Sequence, residues 1–347
     1  MLAWIVGALA GLAALALIVV SAAEYRPADV EPVDITAGAG AQKAAQGRHY
    51  TVVTLNTGFG ALGRGADFFM DGGKSVQPSD KATVRANIDG MYSSLSQMNA
   101  DAYFLQEVDV DSTRSYGINQ AREFQRRLSL NGAFAYNFNT LWVPYPWPMI
   151  GHVESGLETL TSFEMTSAER ESLPVPFAWP VRSFNLKRCL LTARVPIEGS
   201  DKELVLVNLH LEAYDDGEGK LLQTRQLMNS IQAEYHNGNY VVAGGDFNQT
   251  FPGGERYIQL EESYWQPGLL TEADLPAGFA FVNDPSSPSC RLLNQPYSGD
   301  RSQTQLYLID GFIVSPNVQV NAVETIDLNF THTDHNPVRL DFTLKGE

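Results

Sequence analysis

The sequence predicts an α/β fold in which two packed β-sheets are flanked by helices. The first observation is that the chain has 347 residues, of which 44% are hydrophobic, so it can bury a substantial core. The second is that candidate strands outnumber candidate helices. The third is that the helices are interspersed among the strands without strict alternation, which favours two packed sheets over one doubly wound parallel sheet.

The first 23 residues contain no charged side chain and are followed by Glu24. An apolar helix of about 20 residues crosses the ~30 Å hydrocarbon core of a bilayer. Trp4 and Tyr25 lie near the two ends of this segment, where amphipathic rings favour the membrane interface. We expect residues 1–23 to form an uncleaved transmembrane anchor. The alternatives are a signal peptide cleaved after small residues such as Ala23 and a buried helix of a soluble protein.

The segment 24–48 is rich in Ala, Gly and Pro and nearly devoid of large apolar side chains, so we predict a flexible linker. It carries more acidic than basic residues, and the positive-inside bias therefore places the rest of the chain outside the cell. The folded domain is expected to span residues 49–347.

Within that domain, apolar periodicity distinguishes the helices from the strands. Helices are predicted at residues 79–99, 118–130 and 219–235. Strands are predicted at residues 50–56, 102–106, 133–138, 156–163, 186–195, 203–209, 240–244, 306–314, 318–326 and 338–344. The three prolines of the segment 141–148 exclude a central strand, so we predict a loop that carries exposed or lid-like aromatic side chains.

The composition also restricts the function. The formal net charge is −16, which argues against a protein that coats nucleic acid through phosphate neutralisation, although nucleic acid as a transient substrate remains compatible. Cys189 and Cys290 are the only cysteines, so a disulfide scaffold is excluded. Cys189 lies in an apolar run and is expected to be a buried small hydrophobe.

Polar residues stand abruptly at the ends of several apolar strands. Singly, each has a structural explanation, such as a turn residue, a surface acid, a core histidine or a helix cap. Asp310 is harder to explain in this way, because a carboxylate between apolar residues is costly to bury unless it is paired. The sequence offers His335 as its partner. The strand-end residues are Asn56, Gln106, Glu107, Asn208, His210, Asp246, Asn248, Asp310, Asp334 and His335.

From residue 50 to residue 342 the sequence resembles the endonuclease/exonuclease/phosphatase superfamily of metal-dependent phosphoesterases. The motifs that carry the resemblance occur in the family order; they are Leu55-Asn56, Leu105-Gln106-Glu107-Val108, Asn208-Leu209-His210-Leu211, Gly245-Asp246-Phe247-Asn248, Ile309-Asp310 and Thr333-Asp334-His335-Asn336-Pro337. The resemblance implies a four-layer α/β/β/α sandwich with the site at one edge of the paired sheets. Thr333 and Asn336 depart from the residues that many relatives carry. The segment 58–78 resembles none of the well-known nuclease branches.

The resemblance also implies roles for individual residues. Glu107 is expected to be the principal ligand of Mg²⁺, for which Mn²⁺ can substitute, with Asn56 and Asp334 close to the ion. Asp246 and Asn248 would orient the attacking water and hold the phosphoryl oxygens.

Two histidines complete the expected site. His335, paired with Asp310, would be the charged or proton-transferring histidine at the phosphorus. His210 would be a second imidazole that protonates the leaving oxygen. Metal-assisted attack of water on a phosphate ester is the expected reaction.

Three functions remain open at this point. The favoured one is an exported, membrane-tethered phosphodiesterase or phosphatase acting on a small or lipid-linked phosphoester, because the anchor and the aromatic loop suit a lipid interface. An extracellular nuclease and a non-catalytic binding module are the alternatives. We expect a monomer with no stable nucleic-acid complex. Arg64, Lys74 and Arg188 are candidate phosphate contacts, and for each of them ordinary surface charge is an equal alternative.

Overall fold

The computed structural model describes residues 1–215 and 217–346, so Asp216 and the domain end at Glu347 lie outside the described residues. The helices are α1 (Leu2–Ala22), α2 (Lys81–Met98), α3 (Gln120–Leu128) and α4 (Glu218–His236). The strands are β1 (Val30–Pro32), β2 (Ile35–Thr36), β3 (His49–Asn56), β4 (Ala102–Ser112), β5 (Asn131–Val143), β6 (Gly151–Thr161), β7 (Ser167–Ser172), β8 (Cys189–Pro196), β9 (Glu203–His210), β10 (Tyr240–Asp246), β11 (Gln249–Thr250), β12 (Gly268–Leu269), β13 (Ala280–Val282), β14 (Cys290–Arg291), β15 (Leu306–Tyr307), β16 (Asp310–Val314), β17 (Val318–Thr325) and β18 (Val338–Leu344).

Two seven-stranded mixed sheets form the centre of the domain. The first has the strand order β1-β7-β8-β9-β10-β16-β13, and the second has the order β17-β18-β3-β4-β6-β5-β2. Strand β9 is parallel to β10 and β3 is parallel to β4, whereas the other neighbours in both sheets are antiparallel.

Alternating side chains of the same strands enter different cores, which produces the layers. In β3, Val52 faces the other sheet and Val53 packs against α2 and α3. In β9, Leu206 faces the other sheet and Val207 packs against α4. Both faces of each sheet are therefore buried, in agreement with the nearly continuous apolar runs of these strands. The predicted four-layer α/β/β/α sandwich is confirmed.

The structure differs from the sequence prediction at residues 24–48. Instead of a flexible linker, this segment contributes edge strands β1 and β2, which pair with β7 and β5. The side-chain amide of Asn131 accepts from the backbone N–H of Gly38 and donates to the carbonyl of Gly40, both at 2.7 Å. A Cβ at Gly38 would lie 2.2 Å from the backbone of Leu130. The glycines that make the segment resemble a linker are thus required by its close packing.

Helix α1 is the part of the described chain that is long and apolar enough to cross a membrane. It has 21 residues and a mean hydropathy of 2.6, and none of its most apolar stretch is buried in the protein. A transmembrane anchor and a signal sequence share these properties.

Candidate active site

The strand ends predicted from the sequence meet at one edge of the paired sheets. In the first sheet, Asp246 at the end of β10 stands opposite His210 of β9 and opposite Asp310 of β16. In the second sheet, Asn56 ends β3, next to β4. Neighbouring strands therefore bring three ionisable side chains to adjacent positions, although they are separated by up to about a hundred residues along the chain.

Glu107 reaches this edge through an irregularity in β4. The register of β4 against β6 shifts between Leu105 and Val108, and Glu107 has a φ of 53°. A β-bulge re-aims the side chain that it carries, and the Glu107 side chain remains 25% exposed while the surrounding strand is buried. The bulge thus turns this carboxylate into the cavity.

Asn56 holds two carboxylates through its amide nitrogen. Its Nδ2 donates to Oε1 of Glu107 at 3.2 Å and to Oδ2 of Asp246 at 3.0 Å. Its Oδ1 accepts from the backbone N–H of Gly58 at 3.0 Å. The structure therefore places Asn56 beside Glu107, as predicted. Its amide nitrogen, however, faces the two carboxylates and positions them, while its oxygen is bonded to the backbone.

His335 lies where its surroundings favour the charged imidazolium. Its Nδ1 lies 2.8 Å from Oδ2 of Asp310, and its Nε2 lies 3.8 Å from Oδ2 of Asp246. Burial opposes the charge, but Asp310, together with Cys290 and Asp334, outweighs burial and raises the pKa of His335 well above its ordinary value. The predicted pair of His335 and Asp310 is present in the structure.

His210 has the opposite electrostatic character. Its Nε2 lies 3.4 Å from Oδ2 of Asp246, while its buried Nδ1 has no hydrogen-bond partner among the described residues. Burial and the positive charges of Arg188, His335 and Arg114 lower the pKa of His210 well below its ordinary value. A neutral ring donates a hydrogen bond but is a poor acid, so the predicted proton transfer from His210 to the leaving oxygen is disfavoured in the metal-free protein.

Two carboxyl groups of the site are crowded and hard to ionise. Burial and the neighbouring Asp310 raise the pKa of Asp246 to about 6, against the lowering effects of His335 and Asn56. Burial also raises the pKa of Asp334 to about 7; the charge of Glu107 adds to this shift, and His335 opposes it. Carboxylates that repel one another in a buried site favour a bound cation.

The donor set of the site fits a divalent cation. Two clusters, Asp246 with Asp310 and His335, and Cys290 with Asp334 and His335, each have ligand atoms within 4.8 Å of one another. Because the raised pKa of His335 favours a proton on both of its ring nitrogens, the carboxylates are the available ligands. Hard oxygen ligands of this kind suit Mg²⁺ or Mn²⁺.

Asn248 supports the site mainly through its backbone. Its N–H donates to Oδ1 of Asp246 at 2.9 Å, and its side-chain Nδ2 donates to the carbonyl of Leu211 at 2.9 Å. The residue adopts a φ of 50°. Asn248 also lines the cavity, in which we predict that phosphoryl oxygens bind.

Gln106 and Asn208 belong to the same strand-end motifs but lie between the sheets. The Gln106 side chain donates to Asn208 at 2.8 Å, and Asn208 donates to the carbonyls of Leu105 and Glu158 at 3.2 and 3.0 Å. These buried bonds fasten β4 to β9. We therefore interpret Gln106 and Asn208 as structural residues that fix the distance between the two sheets below the candidate site.

The site opens into a cavity of about 560 Å³. One wall is the segment 58–78, the second is the aromatic loop after β5, and the third is the segment 177–186. These walls are predominantly apolar; their lining side chains include Phe59, Leu62, Phe68, Phe69, Met70, Val143, Tyr145, Ile150, Phe177, Val181, Phe184 and Leu186. A polar catalytic floor under apolar walls is typical of a site for an amphipathic ligand.

The segment 58–78 is fixed over the cavity by polar contacts. Oδ1 of Asp71 accepts from the hydroxyl of Tyr214 at 3.0 Å, and Oδ2 accepts from the backbone N–H of Leu293 at 3.2 Å. Burial raises the pKa of Asp71 above its ordinary value despite these two bonds. The sequence motifs did not reveal this contact, because Asp71 and Tyr214 belong to loops with no periodic pattern.

The three predicted phosphate contacts differ in position. Arg188 lines the cavity, where it bonds Glu212 and the carbonyl of His210, both at 3.2 Å. Arg64 is bonded to the carbonyls of Tyr297 and Ser298, away from the cavity lining. The third candidate, Lys74, is exposed on the surface. Only Arg188 among these three is placed to approach a ligand.

Two further arginines line the cavity and were not predicted. Arg114 forms a two-point contact with Asp109, at 2.9 and 3.2 Å, and Arg291 donates to the carbonyl of Gly63 at 2.9 Å. A signal for Arg114 exists in the sequence, because Asp109 lies between two valines of a strand and requires a partner for the same reason as Asp310.

The comparison with solved structures identifies the architecture. The chain has the endonuclease/exonuclease/phosphatase fold. It superposes on an endonuclease/exonuclease/phosphatase from Beutenbergia cavernae with a TM-score of 0.60 at 18% identity, covering 86% of this chain and 72% of that one. A second one, from Bacteroides vulgatus, gives 0.55 at 15% identity, covering 86% and 100% of the two chains.

A third similar structure is ANGEL2, described as a 2′,3′-cyclic phosphatase in complex with adenosine-2′,3′-vanadate. It gives a TM-score of 0.56 at 16% identity and covers 91% of this chain and 99% of that one. No protein-family model and no curated protein matches the sequence. At these identities the likeness establishes the fold, and the chemistry must be argued from the site.

Proposed function

We propose that this protein is an exported, membrane-anchored, metal-dependent hydrolase of phosphoester bonds that acts on a small or lipid-linked phosphoester. The observation that carries the proposal is the convergence of a charged His335–Asp310 pair, the oriented carboxylate Asp246 and the carboxylates Glu107 and Asp334 in one cavity. These groups supply a cation, a base and metal ligands, which together suit phosphoryl transfer to water.

Asp246 is the best-placed base. Asn56 and the backbone N–H of Asn248 fix its two oxygens, and with a pKa of about 6 it is mostly ionised at neutral pH. It would accept a proton from the water whose oxygen attacks the phosphorus, while the bond from phosphorus to the leaving oxygen breaks and that oxygen takes up a proton from solvent.

The two histidines would act on the phosphoryl group. The imidazolium of His335 would donate through Nε2 to a phosphoryl oxygen and stabilise the charge that develops there. His210, as a neutral ring, would donate a hydrogen bond from Nε2 beside Asp246. Asp310 touches no substrate in this scheme; it keeps His335 oriented and charged.

Glu107 and Asp334 would hold the metal ion, and Asn56 would keep Glu107 in position. Mg²⁺ is the expected ion, and Mn²⁺ is the expected substitute. When bound, a divalent cation supplies positive charge that lowers the barrier to attack on a phosphate ester.

The proposed location rests on α1. An uncleaved helix of this length would hold the domain at the outer face of a membrane, and cleavage near Ala23 would instead release a secreted enzyme. Mass spectrometry of the mature protein from the producing cell distinguishes the two. A mature chain that begins after Ala23 contradicts the anchored form.

A phosphoester panel tests the activity. The full chain in detergent micelles is assayed against phospholipids, sphingomyelin, inositol phosphates, nucleotides, plasmid DNA and RNA, with Mg²⁺ and with EDTA. We expect EDTA-sensitive hydrolysis of at least one phosphoester and a rate loss of about 10² or more in Glu107→Ala. Hydrolysis of plasmid DNA or RNA alone would favour the extracellular nuclease, and no hydrolysis in any arm would refute the proposal.

A further inference from the structure

The mouth of the cavity is ringed by large apolar side chains that are exposed to solvent. Met70, Tyr145 and Val181 line the cavity and are 46%, 71% and 54% exposed. Trp147 and Trp179, which lie two residues from Tyr145 and Val181 in the chain, are 83% and 54% exposed. We call these five residues the aromatic rim. Several exposed apolar side chains of this size near one cavity mark an interaction surface.

The C-terminal end of α1 is fastened to the segment that carries part of this rim. Nε1 of Trp179 donates to Oγ of Ser21 in the last turn of α1 at 2.8 Å. Glu24, which follows the helix, has a side chain only 2% exposed. It pairs with Arg182 at 3.2 Å and with Lys187 at 3.4 Å. The segment 179–187 therefore cannot lie far from the point at which α1 leaves a membrane.

The charges at this junction suit a membrane surface. Three basic side chains, Arg26, Arg182 and Lys187, pair with Glu24 at this junction. They gather there although residues 24–48 as a whole carry more acidic than basic groups. The side chains of Arg26 and Arg182 are 61% and 45% exposed and can reach the phosphates of lipid headgroups. Tryptophan and tyrosine beside basic side chains are the residues that prefer the interfacial region.

We infer that the aromatic rim lies in the outer interface of the bilayer that α1 spans, and that the substrate is a phospholipid of that leaflet. The lipid would enter with its acyl chains along the apolar walls and its phosphate beside Asp246 and His335. Water would add to the phosphorus, and one ester bond from phosphorus to oxygen would break, which leaves one product in the membrane. This inference rests on the proposed function and names its substrate class.

Insertion of the rim can be measured without any activity. Cys189 and Cys290 are both buried, but Cys290 lines the cavity. The wild-type protein carried through the same labelling therefore measures the background against which an introduced cysteine is read. Trp147→Cys places the label on the rim, and Val320→Cys places it on β17, at the opposite edge of the second sheet. The full chain is reconstituted in vesicles of phosphatidylcholine and phosphatidylglycerol that contain lipids with a quencher on the acyl chain.

We expect the label at position 147 to shift its emission to the blue and to be quenched by the lipid quencher. The label at position 320 should respond only to a quencher dissolved in water. Equal aqueous quenching at the two positions would overturn the inference and would leave the rim as the docking site of a soluble partner.

Kinetics separate this inference from the proposed function. With Trp147→Ser, we expect hydrolysis of vesicle phospholipid to fall about tenfold, while hydrolysis of a soluble nitrophenyl phosphoester is unchanged. Val320→Ser should alter neither. Cleavage of the soluble ester without any cleavage of vesicle phospholipid would overturn the lipid inference and retain the phosphoesterase. If the wild-type protein hydrolyses neither the soluble ester nor the vesicle phospholipid, the proposed phosphoesterase function is refuted.

Discussion

At the scale of single residues, the two histidines of the site have pKa values shifted in opposite directions. His335 is charged because its Nδ1 lies 2.8 Å from Asp310. His210 is neutral because burial and the positive groups around it disfavour protonation. One edge of the sheets therefore presents a cation and a neutral donor to the same carboxylate, Asp246, so the roles of the two rings are not interchangeable.

The role of Asp310 can be tested through the pH dependence of His335. Asp310→Asn removes the charge that keeps the imidazolium protonated, so the pKa of His335 should fall. We expect kcat to drop by about 10²-fold or more at neutral pH, with a partial recovery toward lower pH. The measurement is the pH profile of kcat together with NMR titration of the ring. An unchanged His335 titration would contradict the assignment.

A matched pair of variants tests His335 itself. His335→Gln should lower the rate by about 10²- to 10⁴-fold without unfolding the domain, because it removes the donor to the phosphoryl oxygen. His332→Gln is the control, since His332 is only three residues away in the chain and does not line the cavity. Turnover like that of the wild type in His335→Gln would refute the assigned role.

At the scale of elements, the walls of the cavity are loops that the sheets hold at their edge. The segment 58–78 is pinned by the contact of Asp71 with Tyr214, and Phe69 of this segment packs edge to face against Tyr145 at 6.2 Å between ring centroids. Among the predicted site residues, by contrast, Asn56, Glu107, His210, Asp246 and Asp310 lie on strands, and Asp334 and His335 lie in the segment that precedes β18. The sheets therefore give the site a rigid base, and the loops that form the cavity walls have lower local stability.

Tyr214→Phe tests the attachment of the segment 58–78. It leaves Oδ1 of Asp71 without its donor in a solvent-exposed bond, at a cost of about 0.5–1.5 kcal/mol. We expect faster hydrogen exchange within residues 58–78 and a lower melting temperature, while α2 remains protected. Tyr92→Phe is the control, because the Tyr92 hydroxyl makes one long, exposed bond of 3.4 Å. Equal effects of the two variants would show that the Asp71 contact does not hold the wall.

At the scale of the whole molecule, part of the negative charge of the chain is concentrated in the carboxylates of the candidate site. The net charge of −16 includes the carboxylates of the site, two of which have pKa values raised to about 6 and about 7. A carboxyl whose pKa is higher in the folded state than in the unfolded state binds more protons when folded. Its contribution therefore lowers the stability of the metal-free protein as pH rises above about 4, until the group is ionised in both states.

This linkage predicts the behaviour of Asp334→Asn. In EDTA, the variant should melt at a higher temperature than the wild type at about pH 8, and the difference should shrink toward about pH 5, where the Asp334 carboxyl is protonated in the folded wild type. Mg²⁺ should stabilise the wild type more at the higher pH, because its ligands must lose their protons. Thermal unfolding at both pH values measures these shifts. A Mg²⁺ stabilisation that is equal at both pH values would contradict the site.

The sequence by itself determined the periodic elements and the residues at their ends. The apolar patterns predicted α2, α3 and α4 to within two residues of their observed bounds, and the cost of burying Asp310 predicted its pairing with His335. These are local consequences of side-chain chemistry, which is written directly in the order of residues.

The tertiary structure alone decided how segments distant in the chain meet. It showed that residues 24–48 pair with both sheets, that the amide nitrogen of Asn56 faces Glu107, and that Ser21 at the end of α1 bonds Trp179 at the cavity mouth. Such contacts depend on backbone pairing and loop packing, which leave no periodic signal in the sequence. The order of residues therefore identified the polar floor of the candidate site, and three-dimensional packing determined the walls of the cavity and their position relative to α1.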